Sequence, residues 1–337
     1  MLDKMKGENT GEVLKTGRLL HGGLMITYLC NAACRHCLYS CSPTRDAGFL
    51  DETAAEAAAG LLAEGGCRSV HIGGGEPFLD FERLLMSLVK LKDAGVAVDY
   101  IETNAFWATE EGAAEKLKRL SDAGADTFCI SIDPFHAEHL PYAAPLALAE
   151  LCEKSGFGYF LWKGDFIPAL TALAPDKAHS RAALEKVFSG KYIADTARSY
   201  GVMYGGRAVN IEREFAMLFG ADFFLDAAPC RGLLSTNHFH VDKDGFFIPP
   251  GCTGIRIPLQ EAVRGIAPGK YPAFEALYTG GIAALFRLAA RQGFSPDALG
   301  YPSKCNLCFH LRRYLAGTGE FPELDTSHYE EALMHYG

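Results

Sequence analysis

Six short apolar runs alternate with Ala-, Glu- and Lys-rich amphipathic runs between residues 24 and 209, and this alternation narrows what the 337-residue chain can become. Strand-like runs are 24–29, 68–72, 96–102, 126–132, 157–162 and 201–209. Helix-like runs lie near 51–64, 80–94, 109–123, 142–155 and 178–199, on apolar residues three and four apart, as in Leu84, Leu85, Leu88 and Leu91. Asp51 and Thr109 are expected N-caps, with Gly95 and Gly124 as C-terminal stops. Strand–helix units of near-regular period predict a parallel sheet with right-handed crossovers. Six units rather than eight predict a partial (β/α)6 TIM-like barrel, whose functional residues belong at the C-terminal ends of its strands.

The first strand runs directly into Cys30-Asn31-Ala32-Ala33-Cys34-Arg35-His36-Cys37, three thiols at C-x3-C-x2-C spacing on one short loop. Thiolates so placed converge on a soft metal centre. Four cysteines close a 4Fe-4S cubane; three leave one iron open, which points to chemistry rather than storage. Two plainer readings compete. Cys41 follows at x3 with Pro43 two residues on, close to the ferredoxin run C-x2-C-x2-C-x3-C-P, but the first gap is one residue too long and the proline one residue late. A structural zinc site more often pairs its ligands as two separated knuckles. The remaining strand ends carry polar residues as well: Gly73-Gly74-Gly75-Glu76-Pro77, then Glu102-Thr103-Asn104, then Ser131-Ile132-Asp133-Pro134. Consecutive glycines let backbone approach a ligand, while Asn104 and Asp133 also read as ordinary caps.

The cysteine loop followed some forty residues later by Gly74-Gly75-Glu76-Pro77 resembles the radical S-adenosylmethionine (SAM) enzymes. The resemblance implies a 4Fe-4S cluster on Cys30, Cys34 and Cys37, with SAM chelating the open iron. It further implies that Gly74, Gly75, Glu76 and Pro77 meet the SAM amino group, and that Asn104, Ser131 and Asp133 face its methionine and ribose portions. His36 stands where the family often places an aromatic residue against adenine. Gly206-Arg207-Ala208 is similar to a segment common in members with a cysteine-rich extension, which makes Arg207 a candidate for the SAM carboxylate or a substrate anion, with a structural salt bridge as the alternative. His136, His139, Lys163 and Asp165 follow strands four and five and are candidates to face substrate as catalytic groups.

Cys230, Cys252, Cys305 and Cys308 form a second set, with the hairpin signal Asp244-Gly245 between the first two and a C-x2-C at the end. Zinc is one reading of four such thiols. The order also resembles the twitch extension, a half-length relative of the SPASM domain, which implies a second 4Fe-4S auxiliary cluster ligated wholly by protein. Cys67, Cys129 and Cys152 lie in apolar or helical stretches and read as core residues. The expected organisation is an N-terminal arm (1–20), the partial barrel (21–227), a small cysteine-rich twitch-type domain (228–317) and a C-terminal tail (318–337).

A net charge of −9 argues against general nucleic-acid binding or an anionic-membrane surface. There is no signal peptide and no run of 18 apolar residues, so a cytoplasmic location is expected, where eleven cysteines read as metal ligands rather than disulfides. The resemblance implies reductive cleavage of SAM to a 5′-deoxyadenosyl radical, hydrogen abstraction from a small-molecule or peptide substrate, and a flavodoxin- or ferredoxin-type reductant. A closed second cluster favours a net two-electron oxidation. A crosslink-forming peptide maturase is the alternative, although such enzymes often carry a leader-binding domain that about twenty residues before the first strand are too few to form. A non-catalytic iron–sulfur or zinc protein would explain the cysteines but not Gly74–Pro77.

Overall fold

A computed structural model describes residues 13–188 and 190–334 of the chain. Its centre is one eight-stranded sheet in the order β5-β4-β3-β2-β1-β6-β7-β8. The parallel part is β1 (His21–Met25), β2 (Ser69–Gly73), β3 (Ala97–Thr103), β4 (Thr127–Ser131) and β5 (Gly158–Trp162). On the other side of β1, β6 (Asn237–Val241) pairs in parallel, followed by antiparallel β7 (Phe246–Ile248) and β8 (Ile257–Pro258).

Period-two alternation assigns the faces. Leu24, Val70, Ile72, Ile101, Phe128 and Ile130 are buried in the main core with helix residues such as Leu62, Leu84, Leu88, Leu91, Leu117 and Leu148. His21, His71, Tyr100, Phe160 and His240 approach one another on the opposite, concave face. The crossover helices are Glu52–Glu64, Phe81–Asp93, Ala113–Ala123 and Ala143–Ser155. Asp51 caps the first through a hydrogen bond accepted from Ala54 N, and Gly124 ends the third in the left-handed region.

Several local expectations differ from the fold. Residues 201–209 form no strand: Gly201 closes the helix Tyr192–Tyr200, and Gly206–Ala208 is a 3-10 turn leading into the helix Val209–Phe215. The glycines interrupt the apolar run, and Arg207 N is tied to Cys37 O instead of to β5. The parallel part contributed by the strand–helix units therefore has five strands, with β5 at an edge. Thr109 ends a 3-10 turn, and the helix behind it starts after Gly112, whose φ of 86° breaks the chain direction. The run near 178–199 is two helices, Arg181–Phe188 and Tyr192–Tyr200, with Gly190 between them. Gly95 lies one residue beyond the cap at Ala94.

The C-terminal residues are bound into the same body. The expected hairpin is present: Asp242 accepts hydrogen bonds from Asp244 N and Phe246 N, and Gly245 turns with φ 79°. Because β6 to β8 extend the sheet that begins in β1, residues 228–317 share a sheet with the barrel strands. The described part of the expected tail includes the helix Thr326–Met334, where Glu331 accepts a hydrogen bond from Ser42 and Asp325 pairs with Arg45 at 2.8 Å. In the N-terminal arm, residues 1–12 lie outside the described residues, while Thr16 bonds Ala262 O and Leu19 is fully buried.

Candidate active site

The cysteine loop leaves β1 at the C-terminal edge of the parallel sheet and is held mainly by backbone. Gly75 N donates to Thr27 O and Glu76 N to Leu29 O, so the turn after β2 is sewn to the start of the loop. A Cβ on Gly75 would collide with the Leu29 carbonyl, so glycine is required there by close approach of two backbones. Arg207 is fully buried and gives its guanidinium to Cys34 O and Cys41 O, both at 2.9 Å. It thus faces the loop's carbonyls.

Glu76 is also fully buried and ties three strand ends together. Its carboxylate accepts from Phe78 N, Thr103 Oγ1 and Asn104 N at 2.8–3.1 Å. Burial pushes its carboxyl up to about 7, against the hydrogen bonds that favour the ion. Asn104 in turn donates to Asn31 Oδ1 at 2.8 Å, with Nδ2 3.9 Å from Cys30 Sγ. Cys37 sits differently from Cys30. The Cys41 thiol bonds its sulfur and, with Arg207 nearby, holds the Cys37 thiol down at about 5, whereas burial raises Cys30.

Asp133 ends β4 as the N-cap of the short helix Pro134–Ala137, accepting from Phe135 N and His136 N, with His136 Nδ1 2.6 Å from its other oxygen. Burial opposes its charge, but His136 and His36 hold the carboxyl well below the usual range. His36 is enclosed by Phe135, His136 and Tyr200, with centroids 4.5–5.1 Å away. Asn104, Ser131, Asp133 and His136 line a common cavity of about 10 Å³, room for about one water. His136, which lines it, would have to move for a nucleoside to lie there.

The other candidates scatter. His139 sits on the turn after His136, Asp165 is exposed, and Lys163 places its ammonium 5.2–5.3 Å from the Tyr200 and Trp162 rings. Sequence reasoning missed the concave face itself. Phe160 and Trp162 are exposed there, and Glu102, three residues beyond Asp99 on β3, is raised to about 7 by burial and by the Cys37 charge. His71 is lowered to about 3 and His240 well below its ordinary value, both mainly by burial. The available signal was the period-two spacing of His238 and His240, and of Tyr100 and Glu102.

The fold draws the second cysteine set together from three elements. Cys230 follows the barrel, Cys252 lies in the turn after β7, and Cys305 and Cys308 occupy the first turns of the helix Lys304–Thr318. Cys252 and Cys308 each feel the charges of the other thiols and of Arg312, and Lys304 Nζ is 3.8 Å from Cys230 Sγ. Cations beside four thiols suit an anionic tetrathiolate centre. Among the described residues no three thiols in either set fall within 4.8 Å of one another. Cys67, Cys129 and Cys152 are buried away from these sets.

Residues 24–153 match the model of the Radical SAM superfamily. YydG of Bacillus subtilis (strain 168), named for peptide biosynthesis, is 26% identical over 129 residues, 37% of this chain and 39% of that protein. The mitochondrial GTP 3′,8-cyclase of Arabidopsis thaliana is 30% identical over 139 residues, 39% of this chain and 34% of that protein. The chain thus spans little more than a third of the length of these curated relatives. Among solved structures, anSMEcpe with bound AdoMet superposes with TM-score 0.44 at 14% identity, covering 88% of this chain and 97% of that one.

Proposed function

Taking residues 24–153 as a Radical SAM domain, we propose that this chain is a radical SAM enzyme that oxidises its substrate by two electrons. The observation that carries the reading is the three-thiol loop, fixed at the strand ends by Glu76, Asn104 and Arg207. When bound, a cluster on Cys30, Cys34 and Cys37 with SAM supplies a hydrogen-abstracting 5′-deoxyadenosyl radical, and a second cluster on Cys230, Cys252, Cys305 and Cys308 supplies an acceptor for the remaining electron.

The chain's own residues set the stage for that chemistry. Arg207 and the turn at Gly75 hold the loop in one geometry, and Glu76 fixes Asn104 beside Cys30. The candidates to hold SAM are Gly74, Gly75, Glu76 and Pro77 with Asn104 and Ser131. His36, Asp133 and Arg207 serve through the walls and the loop they already support. The exposed rings of Phe160 and Trp162 give the concave face an apolar platform for substrate. A peptide is the second reading of that substrate, favoured by the likeness to YydG and by the open β5 edge beside those rings.

The test is anaerobic reconstitution followed by dithionite and SAM. Slow release of 5′-deoxyadenosine without substrate is expected. Loaded iron with no cleavage at all would reduce the chain to an iron–sulfur protein of another kind.

A further inference from the structure

A second group of side chains, none of them a cysteine, lies on the concave face. One ring nitrogen from each of His21, His71 and His238 falls within 4.8 Å of the other two. His21 is on β1, His71 on β2 and His238 on β6, so three adjacent strands each contribute one imidazole. A tetrahedral ion with Zn–N bonds of about 2.0–2.1 Å needs nitrogens about 3.3–3.4 Å apart, so binding would draw the three rings closer together.

The backbone is bent to make this meeting. The β1–β6 register runs His21↔Asn237 and then Gly22↔Phe239, so His238 is the extra residue of a β-bulge. Its φ of 64° lies in the left-handed region, uncommon for a side-chain-bearing residue. Bulges shift the local course of a strand, and along this one His238 and His240 both face His71, with centroids 5.5 and 4.9 Å away. Gly23 is opposite, and a Cβ there would run into the His71 and His240 rings. The space the histidines occupy exists because that residue has no side chain.

The outer partners are those of a metal site. Asp99 Oδ2 lies 3.2 Å from His21 Nδ1 without a well-formed hydrogen bond, near enough for the carboxylate to orient the imidazole once the ring turns toward it. His240 Nε2 contacts His71 Nε2 at 3.0 Å while Tyr39 OH meets His240 Nδ1 at 2.7 Å. Glu102 Oε1 is 3.8 Å from His71 Nε2. His71 is fully buried and its Nδ1 makes no well-formed hydrogen bond, while His238 is exposed and opens the site to solvent.

We propose that His21, His71 and His238 form a mononuclear site for a divalent first-row transition ion, zinc by its donor set, with a fourth position open to water or to a substrate oxygen. Three imidazoles with an open position are a recurrent ligand set for such ions. The site is separate from both cysteine sets and does not depend on the reaction proposed for them.

The test uses the full chain with its clusters reconstituted anaerobically, equilibrated with micromolar zinc chloride. Metal analysis should find one zinc per chain that His238→Gly does not retain, at an affinity at least 100-fold below native. Glycine suits the left-handed backbone at that position, so this variant should fold, with unchanged iron content as its control. His21→Gln should weaken zinc in the same direction. X-ray absorption at the zinc edge should show nitrogen and oxygen neighbours at about 2.0–2.1 Å and no sulfur at about 2.3 Å. Equal zinc retention by native and His238→Gly proteins, a sulfur shell, or no zinc uptake by the native protein would each overturn the site.

Discussion

The two cysteine sets solve one problem in opposite ways. The first gathers three thiols within eight residues and fixes them with carbonyls and N–H groups, down to a backbone contact that excludes any side chain at position 75. The second collects four thiols across residues 230–308 and depends on a hairpin, a turn and a helix docking together. In the first, geometry is stored in local backbone; in the second, it is stored in tertiary packing. A local site breaks when its own residues change. A distributed one also breaks when remote supports fail.

The largest contrast comes from removing ligands. Cys34→Ala should abolish the loop's cluster and all 5′-deoxyadenosine release, measured as iron content and product by chromatography. Cys305→Ala/Cys308→Ala should lower iron from about eight to about four per chain, two cubanes to one, while slow SAM cleavage persists. Oxidation of substrate should fail in that double variant. Stoichiometric zinc bound through sulfur, with only four irons in the native enzyme, would make the second set a structural lid.

Next in size is a remote support shared by both regions. Arg45, four residues past Cys41, is buried against Asp325 and lies 4.0 Å from the Tyr28 ring. Asp325→Asn leaves a buried guanidinium its Tyr39 carbonyl partner but no counter-ion, and should cost about 3–5 kcal/mol, read from the urea midpoint. Burial alone would raise the Asp325 carboxyl, but Arg45 outweighs it and the group is held below its ordinary 3.8. A depressed carboxyl contributes stability that is complete above the unfolded value and lost as pH falls through the folded one. The native protein should thus lose this part of its stability below about pH 4, and Asp325→Asn should lack that acid-side loss.

Gly75→Val separates backbone packing from ligand contact. Its side chain meets the Leu29 carbonyl before any ligand, so the fold should lose about 1–3 kcal/mol and the loop should load iron poorly even without SAM. Normal iron loading with SAM cleavage alone suppressed would shift the role of that glycine from the loop to the cofactor.

What the sequence disclosed follows the same division. The loop, the Gly74–Pro77 turn and five strands were legible because each is a short-range pattern of spacing or alternation. The sixth strand was misread because Gly205-Gly206-Arg207 sits in an apolar run whose partner proved to be the cysteine loop, not β5. Arg207's carbonyl contacts and the histidines of the concave face depend on strands far apart in the chain meeting edge to edge. The spacing of His238 and His240 marks a shared strand face, but not which strands would bring His21 and His71 against it. The bulge at His238 is the sharpest case, since a one-residue slip moves a side chain across the sheet and nothing in Asn237-His238-Phe239 announces it.

The smallest expected effect tests the count of three. Cys41 is 2% exposed, its backbone N–H donates to Cys37 Sγ at 3.3 Å, and its carbonyl is held by Arg207. It packs with Met25, Tyr28 and Ile248 in a small apolar cluster of its own. A thiol so placed supports Cys37 from behind rather than competing for iron, and a lost S–H donor would remove only one weak hydrogen bond from a sulfur that keeps its backbone donor. Cys41→Ala should therefore retain the loop's iron and its spectral response to added SAM, with SAM cleavage within a factor of a few of native. Loss of the cluster in that variant would make four thiols the ligand set, close the open iron, and return the loop to a ferredoxin-like electron carrier.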